Sequence, residues 1–245
     1  MKKTSFLVLV MAFLVLLSAC GRADYDKANK KCADMTDYSM DISTIVTIEN
    51  GDDVKQSAIN QKINVNNKGK ADMIYSVQST ATATLVTEGE SKVEENSYIF
   101  YKDSYYYTYP GVRYKSPVTH DMALSNIENL SNVITFSEDE MIDAVWEELD
   151  GESVVYFQVD YADTSAFVQG LLENAAATVG NVSFSPKEMG AACTVKGDTV
   201  TAREIYIGYE AVTGESITVE IYVSYGDAQK VEKPDESKYV DIMAK

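Results

Sequence analysis

Histidine and proline are scarce in this chain. Its 245 residues include one histidine, His120, and four prolines. One imidazole is too few for a histidine-rich metal site, and any Ser-His-Asp arrangement would have to use His120, which is better explained as a residue at the start of a helix than as a catalytic group. The motifs Gly-x-Ser-x-Gly and Ser-x-x-Lys and phosphate-binding glycine loops are absent as well. We therefore predict no enzymatic activity, no cofactor and no metal.

Basic residues are few relative to acidic ones. The chain has 21 Lys and Arg against 38 Asp and Glu, a formal net charge of −17 at pH 7. The negative charge argues against binding to nucleic acid, because proteins bind its phosphates through Lys and Arg. It also argues against membrane binding through a cluster of basic residues on anionic lipid. Acidic runs such as Glu138–Glu140 are compatible with a paired-acid hydrolase or a calcium site. No stretch has EF-hand spacing, so a solvated acidic surface is preferred.

Long apolar runs are confined to the first twenty residues. Two lysines precede the twelve-residue run Phe6–Leu17. A basic N-terminus, an apolar run and a cleavage region of small residues together form an export signal. The apolar run is too short to span a bilayer, which takes roughly 17–25 residues. The sequence LSAC, Leu17–Cys20, resembles the lipobox of bacterial lipoproteins, in which the cysteine is acylated and the signal is cut before it. An ordinary cleavage site with a chance cysteine is the alternative.

The lipobox predicts a signal peptide over residues 1–19 and a mature chain that begins at lipidated Cys20. Two acyl chains give durable attachment where one does not, so we predict that the protein is anchored on the extracytoplasmic face of the bacterial cell membrane. Cys32 and Cys193 are the other cysteines. An exported location permits a disulfide between them, but two separate thiols are the alternative.

The mature chain contains no linker rich in Pro, Gly or Ser, and one domain is predicted over residues 38–245, after a tether and short helix over 20–37. Apolar and polar residues alternate in several segments, which is typical of antiparallel strands with one dry and one wet face. The clearest segments are Tyr38–Ile48, Met73–Leu85, Val155–Tyr161 and Ile217–Tyr225. Turn residues such as Asn50–Asp53 and Asn67–Lys70 separate them, and ten or eleven strands are expected.

Three segments are predicted to be helical. Residues 24–35 are polar, which suggests a helix that packs lightly, and residues 120–130 form a second helix. The third, Thr164–Gly180, carries one charge, begins at a predicted Thr164 cap and is apolar over more than half its circumference. A helix of this kind must be largely enclosed, so we place it against the dry face of a curved sheet.

Residues 137–149 fit two structures. Ser137 and Glu140 form a capping-box pattern that favours a helix. The dipeptide Asp150-Gly151 is typical of a hairpin and makes Ile142, Ala144 and Trp146 one face of a strand. The residues alone leave this choice open.

A tyrosine-rich segment, Tyr101–Lys115, is predicted to be a hairpin. Its turn is expected at Lys102–Ser104, and Pro110-Gly111 would end its second strand. Tyrosine suits a sheet because its ring packs while its hydroxyl reaches water. We prefer structural packing for these rings over direct ligand contact. Which face of the strand is buried, that of Tyr105, Tyr107 and Tyr109 or that of Tyr106 and Thr108, stays open.

The mature chain resembles a family of Gram-positive lipoproteins with a LolA/LppX-like fold. The similar features are the lipobox, the first strand and a pattern Y-x-D-x-Y-Y-x-x-x-x-G-x-(K/R)-x-K. That pattern occurs here as Tyr101, Asp103, Tyr105, Tyr106, Gly111, Arg113 and Lys115, and the ending P-x-x-x-x-Y-x-x-I as Pro234, Tyr239 and Ile242. The resemblance implies a mainly antiparallel α+β fold: a strongly curved, unclosed β-barrel with helices over its concave face. It also favours a strand over Ile142–Glu148.

Relatives of that fold hold lipids between sheet and helices, so the resemblance implies a monomeric binding protein for a lipid or another hydrophobic ligand. The expected pocket would be lined by apolar residues of the third helix and of the sheet: Phe167, Leu171, Leu172, Val77, Leu85 and Phe157. The alternative is a cell-surface interaction protein with a filled core, which would use its acidic, tyrosine-rich exterior.

Overall fold

The computed structural model describes residues 25–85, 90–178, 188–211 and 213–242. The predicted signal peptide and Cys20 lie outside these residues, as do Val179 and Gly180 at the predicted end of the third helix. The side chain of Leu85 also lies outside the described part, although its backbone belongs to a strand.

Twelve strands of the described chain form one sheet. They are β1 Tyr38–Asn50, β2 Asp53–Asn66, β3 Ile74–Leu85, β4 Glu90–Phe100, β5 Ser104–Tyr109, β6 Val112–Pro117, β7 Ile142–Leu149, β8 Glu152–Gln158, β9 Glu188–Lys196, β10 Thr199–Glu210, β11 Ser216–Gly226 and β12 Val240–Asp241. Their order is β12-β6-β5-β4-β3-β2-β1-β11-β10-β9-β8-β7, and only the short β12–β6 pair is parallel. The sheet is curved and unclosed, so the predicted fold class is confirmed, with slightly more strands than expected.

The described helices are α1 over residues 25–34, α2 His120–Ser131 and α3 Ala166–Thr178. Buried residues of all three belong to the same apolar cluster as the alternate residues of the strands. We call this side of the sheet the inner face and the opposite side the outer face. Within the described residues, no helix is both long enough and apolar enough to cross a bilayer.

Helix α1 packs more tightly than its polar sequence suggested. Tyr25 and Ala28 are buried in the main core, and the hydroxyl of Tyr25 donates a hydrogen bond of 2.8 Å to the carbonyl of Phe136. The ring of Tyr25 also meets Trp146 edge to face, with centroids 6.3 Å apart. The expectation of light packing is therefore wrong, because a few apolar residues on one side of the helix fill the core.

Local capping explains where α2 and α3 begin. The hydroxyl of Thr119 accepts a hydrogen bond from the amide of Met122 at the start of α2. At α3 the hydroxyl of Ser165 accepts a 3.4 Å hydrogen bond from the amide of Val168. Thr164 instead donates to the carbonyl of Tyr161, so the cap lies one residue later than predicted.

In residues 137–149, both the capping box and the hairpin signal are used, one after the other. Ser137 and Glu140 form a capping box on a single 3₁₀ turn, and a strand, β7, then begins at Ile142. Asp150 and Gly151 have positive φ angles of 53° and 82° in the turn that follows. The strand favoured by the family resemblance is confirmed.

One detail of that strand is wrong in the prediction. Ile142 pairs with Gln158 and Val145 with Tyr156, so β7 carries one extra residue: Asp143, whose φ is 53°, and Ala144 lie opposite the single residue Phe157. This bulge places Ile142 on the outer face, 46 % exposed, whereas Trp146 packs on the core. Ile142 and Trp146 therefore do not share a face.

Candidate ligand-binding face

Residues that pair across adjacent strands form a row over the inner face from β8 to β4, and we call it the inner row. In spatial order its members are Phe157, Ala191, Ile205, Ile221, Thr44, Ile59, Ala81 and Glu94. The first five are buried, Ile59 and Ala81 are half-buried, and Glu94 is exposed. In this row the part over β8–β1 is thus covered, while the part over β2–β4 is accessible to solvent.

The helices account for this asymmetry. Helix α3 lies along β11 and β1, and its Ala175 packs with Tyr209 and Ile217. Helix α2 crosses the end of the sheet where β1 starts, and its Ser131 contacts Tyr38. The half-buried part of the inner row lies farther along the strands, beyond the contacts of α2 and to one side of α3.

The predicted pocket residues differ in how deeply they are buried. Val77, Phe157 and Leu172 are fully buried in one cluster, and Leu171 packs partly against it. Phe167 is 42 % exposed on α3. It lies four residues before Leu171, so the two side chains follow one flank of the helix.

A tyrosine ladder continues the inner face toward β6. It comprises Tyr98, Tyr105, Tyr107, Tyr109 and Tyr114. Ring centroids are 5.2 Å apart for Tyr98–Tyr105, 5.5 Å for Tyr98–Tyr107 and 4.9 Å for Tyr107–Tyr114. Burial decreases from Tyr105, 7 % exposed, to Tyr109, 40 % exposed. The Tyr105, Tyr107 and Tyr109 side therefore faces the helices, which the sequence left open.

Burial affects the phenols of this ladder. It raises the pKa of Tyr98, and the neighbouring Tyr105 and Tyr107 raise it further. The Tyr98 hydroxyl is therefore neutral at physiological pH and is able to donate or accept a hydrogen bond. The outer side of the same strand is covered differently, because Tyr106 meets Tyr239 edge to face at 5.2 Å.

Hydrogen bonds fix α2 over the buried end of the ladder. The hydroxyls of Tyr75 and Tyr105 lie 2.7 Å apart. The Tyr75 hydroxyl also lies 3.1 Å from the carbonyl of Ala123, and the amide of Asn126 donates to Tyr105 at 2.8 Å. This end of the inner face is therefore closed by specific polar contacts as well as by apolar packing.

A buried arginine, Arg203, was not singled out by the sequence. It is 5 % exposed on the inner face of β10, where alternation predicts an apolar residue. Its guanidinium donates to Thr135 and, at 2.6 Å, to the side-chain oxygen of Asn29, and it lies 5.5 Å from the ring centroid of Tyr225. These contacts join β10 to α1 and to the segment after α2.

The small space beside Arg203, about 140 Å³, is polar and lies at the ends of two helices. Lys68 lines it and donates a 2.7 Å hydrogen bond to the carbonyl of Ala33 in the last turn of α1. Cations are favoured at helix C-termini, so we interpret this cluster as structural.

Cys32 and Cys193 are both free thiols in this structure. Burial raises the pKa of Cys193 to about 11, although nearby Arg203 opposes the shift. Burial also raises the pKa of Cys32. His120 stands at the start of α2, with its ring 6.1 Å from Phe100. Across the described ranges, no three His, Cys, Asp or Glu side chains form a group that could hold a metal ion.

Comparison with known proteins gives only distant similarities. No protein-family model matches the chain, and neither does any curated protein. Among solved structures, LprF from Mycobacterium bovis is similar over 87 % of this chain and 95 % of its own, with 10 % identity and a TM-score of 0.42. A DUF1329 family protein from Desulfovibrio piger shows the same coverages, with 11 % identity and a TM-score of 0.24. Membership of a Gram-positive lipoprotein family therefore stays a prediction from the sequence motifs.

Proposed function

We propose that this protein is a membrane-tethered, non-catalytic lipoprotein that holds a lipid or another hydrophobic ligand on the open half of its inner face. The observation that carries the proposal is the inner row, which continues from the closed core into half-buried Ile59 and Ala81. An apolar surface that is continuous with a core and partly open is a common form of ligand site.

The surroundings of this opening combine aromatic and polar side chains. Tyr98 and Tyr107 are half-buried rings on the side of β4 and β5. Between them and Ala81 lies a half-buried polar row on the same face, Gln61, Ser79 and Asn96. On α3, Gln169 bonds to the main chain of Tyr161, which follows β8, and Phe167 lies on the other flank of the helix. That flank is available to cover a ligand, because Phe167 is 42 % exposed.

Acylation of Cys20 is the second part of the proposal. Seventeen residues separate Cys20 from the first residue of β1, Tyr38. Because α1 occupies most of that stretch, the ligand-binding face would stay close to the bilayer. Cys20→Ser should therefore release the protein from the membrane fraction, and retention of the variant would contradict lipid anchoring.

The binding face is tested with two tryptophan substitutions on β3. Ala81 is half-buried on the inner face, whereas its neighbour Thr82 is half-buried on the outer face. We expect Ala81→Trp to fill the open half of the inner row and Thr82→Trp to leave it unchanged. Binding is measured by the fluorescence of N-phenyl-1-naphthylamine, a neutral apolar probe that the acidic surface does not repel.

The wild type and Thr82→Trp should bind the probe alike, and Ala81→Trp should bind it about tenfold less tightly, since about 1.4 kcal/mol of lost contact is tenfold in affinity. Thermal unfolding of both variants confirms that they are folded. Equal probe binding by all three proteins, or none by the wild type, would overturn the proposed site.

A further inference from the structure

A groove of about 620 Å³ lies on the outer face, opposite the helices. It crosses β7, β8, β9, β10, β11 and β1. Its floor is made by Gly190 and Ala192, and Tyr156, Tyr206 and Tyr222 stand around it. A Cβ atom at Gly190 would meet nothing within 4 Å, so the space above the floor is open.

Strand register brings these residues together in two neighbouring rows. One row runs Tyr156, Ala192, Glu204 and Tyr222, and the next runs Gln158, Gly190, Tyr206 and Glu220. The small residues of β9 lie between larger side chains of β8 and β10, which creates the depression. Sequence alternation alone does not reveal it, because the rows depend on pairing between distant segments.

The three groove tyrosines differ from those of the tyrosine ladder. Tyr156, Tyr206 and Tyr222 are 40 %, 42 % and 47 % exposed. In the part of the chain that the structure describes, none stacks on another ring or forms a hydrogen bond. Their faces are therefore accessible to a ligand, whereas the ladder tyrosines are occupied with one another.

The groove is acidic as well as aromatic. Asp143, Glu204 and Glu220 line it, and no Lys, Arg or His does. None of these three carboxylates forms an ion pair within the described ranges. A positive charge placed here would meet both uncompensated carboxylates and the negative faces of aromatic rings.

We propose that this groove binds a small organic cation, an ammonium group carried on an apolar body. The charge would lie over the tyrosine faces beside Glu204 and Glu220, and the apolar part would contact Val145 and Ile45 at the margins. The space is within the range of small-molecule sites, roughly 300–1,000 Å³. The inference does not depend on the proposed lipid-binding face, which lies on the other side of the sheet.

The test compares choline with 3,3-dimethylbutan-1-ol, a neutral molecule of nearly the same shape. Titration calorimetry on the purified protein at low ionic strength should show saturable choline binding. Cation–π attraction and unpaired carboxylates favour the charged ligand, so the neutral analogue should bind about tenfold or more weakly. Added salt should weaken choline binding, because exposed charges are screened.

Substitutions locate the site. Gly190→Val adds a side chain to the floor at a position where a Cβ meets nothing within 4 Å, and it should reduce choline affinity about tenfold or more, as should Glu204→Gln. Asp41→Asn removes an exposed carboxylate from the same face outside the groove and should leave the affinity within about twofold. Unchanged melting temperatures confirm folding.

Three results would overturn the proposal. The first is equal binding of choline and its neutral analogue, and the second is equal loss of affinity in Asp41→Asn and Glu204→Gln. The third is no detectable choline binding, including the case in which a neutral sugar such as an N-acetylglucosamine oligomer binds instead. Because the apolar probe of the inner face is measured separately, failure here is distinguishable from failure of the proposed function.

Discussion

At the scale of single residues, the buried arginine is the feature that most distinguishes this core. Arg203 occupies an inner-face position on β10, and its guanidinium contacts the neutral side chains of Thr135, Asn29 and Tyr225. Burying an unpaired charge is costly unless hydrogen bonds compensate. The guanidinium therefore holds its surroundings in one arrangement, because moving Asn29 away would leave a buried donor unsatisfied.

Arg203→Met should lower the free energy of unfolding by roughly 1–3 kcal/mol, since it leaves the oxygen of Asn29 without its donor. Arg113→Met on β6 is the matched control, because Arg113 is exposed and surface changes typically stay within about 0.5 kcal/mol. Urea unfolding measures both. Equal stabilities of the two variants would show that the contacts of Arg203 contribute nothing.

The Cys193 thiol gives the protein a pH dependence above neutrality. Its pKa is raised from 9.0 to about 11 in the folded state. Between these pH values the folded chain binds more protons than the unfolded chain, so stability is full below pH 9 and falls as pH rises toward 11. The expected loss is on the order of 2 kcal/mol.

The contribution of this thiol is isolated by Cys193→Ala. Several buried tyrosines with raised pKa values add to the same trend, so the measured quantity is the difference between the pH profiles of the wild type and the variant. We expect a shallower decline in the variant above pH 9. Parallel profiles would mean that Cys193 ionises equally easily in both states.

At the scale of elements, α2 is docked by a polar contact as much as by its apolar side. Tyr75→Phe removes the hydroxyl that lies near Tyr105 and Ala123. It should cost roughly 1–2 kcal/mol, because buried partners lose a hydrogen bond. Tyr109→Phe, at an exposed position of the same ladder, should cost far less by thermal unfolding. A similar loss in both variants would contradict this role.

Helix α3 offers a second paired comparison. Leu172 is 2 % exposed and Phe167 is 42 % exposed. Leu172→Ala should therefore destabilise the protein by roughly 2–5 kcal/mol through the cavity it leaves. Phe167→Ala should change stability much less but should weaken binding of the apolar probe. The reverse ranking in chemical denaturation would show that α3 is oriented differently.

Much of the element pattern is predictable from this sequence, and the failures have identifiable causes. Alternation in β1, β3 and β11 revealed a two-faced sheet, and Asp150-Gly151 revealed a hairpin. Ile142 was assigned to the wrong face because an inserted bulge reverses the parity of a strand without changing its composition. Helix α1 was expected to pack lightly because its many charges conceal the buried side chains of Tyr25 and Ala28.

At the scale of the whole molecule, the outline of the fold was predictable and the positions of its openings were not. Periodicity identifies which residues face the core, but burial along the inner row changes from Thr44 to Ile59 although both point the same way. That change depends on where α3 lies across the sheet. The same reason explains why Phe167, expected inside a pocket, is partly exposed.

The two faces of the sheet differ in chemical character. The inner face offers a half-covered apolar surface, and the outer face offers an acidic groove of tyrosines. Both are built on strands of one sheet, so neither requires a second domain. Saturating the inner face with N-phenyl-1-naphthylamine should leave the affinity of the outer groove for choline unchanged, unless ligand binding deforms the sheet. Choline titrations with and without the saturating probe measure this.

The central claim is that the inner face carries an apolar ligand, and native mass spectrometry of protein purified from membranes tests it most directly. We predict a co-bound lipid on the wild type and on Thr82→Trp, and its loss from Ala81→Trp. Repeated recovery of wild-type protein without any bound lipid, from membranes extracted gently, would contradict the account and favour an interaction protein with a filled core.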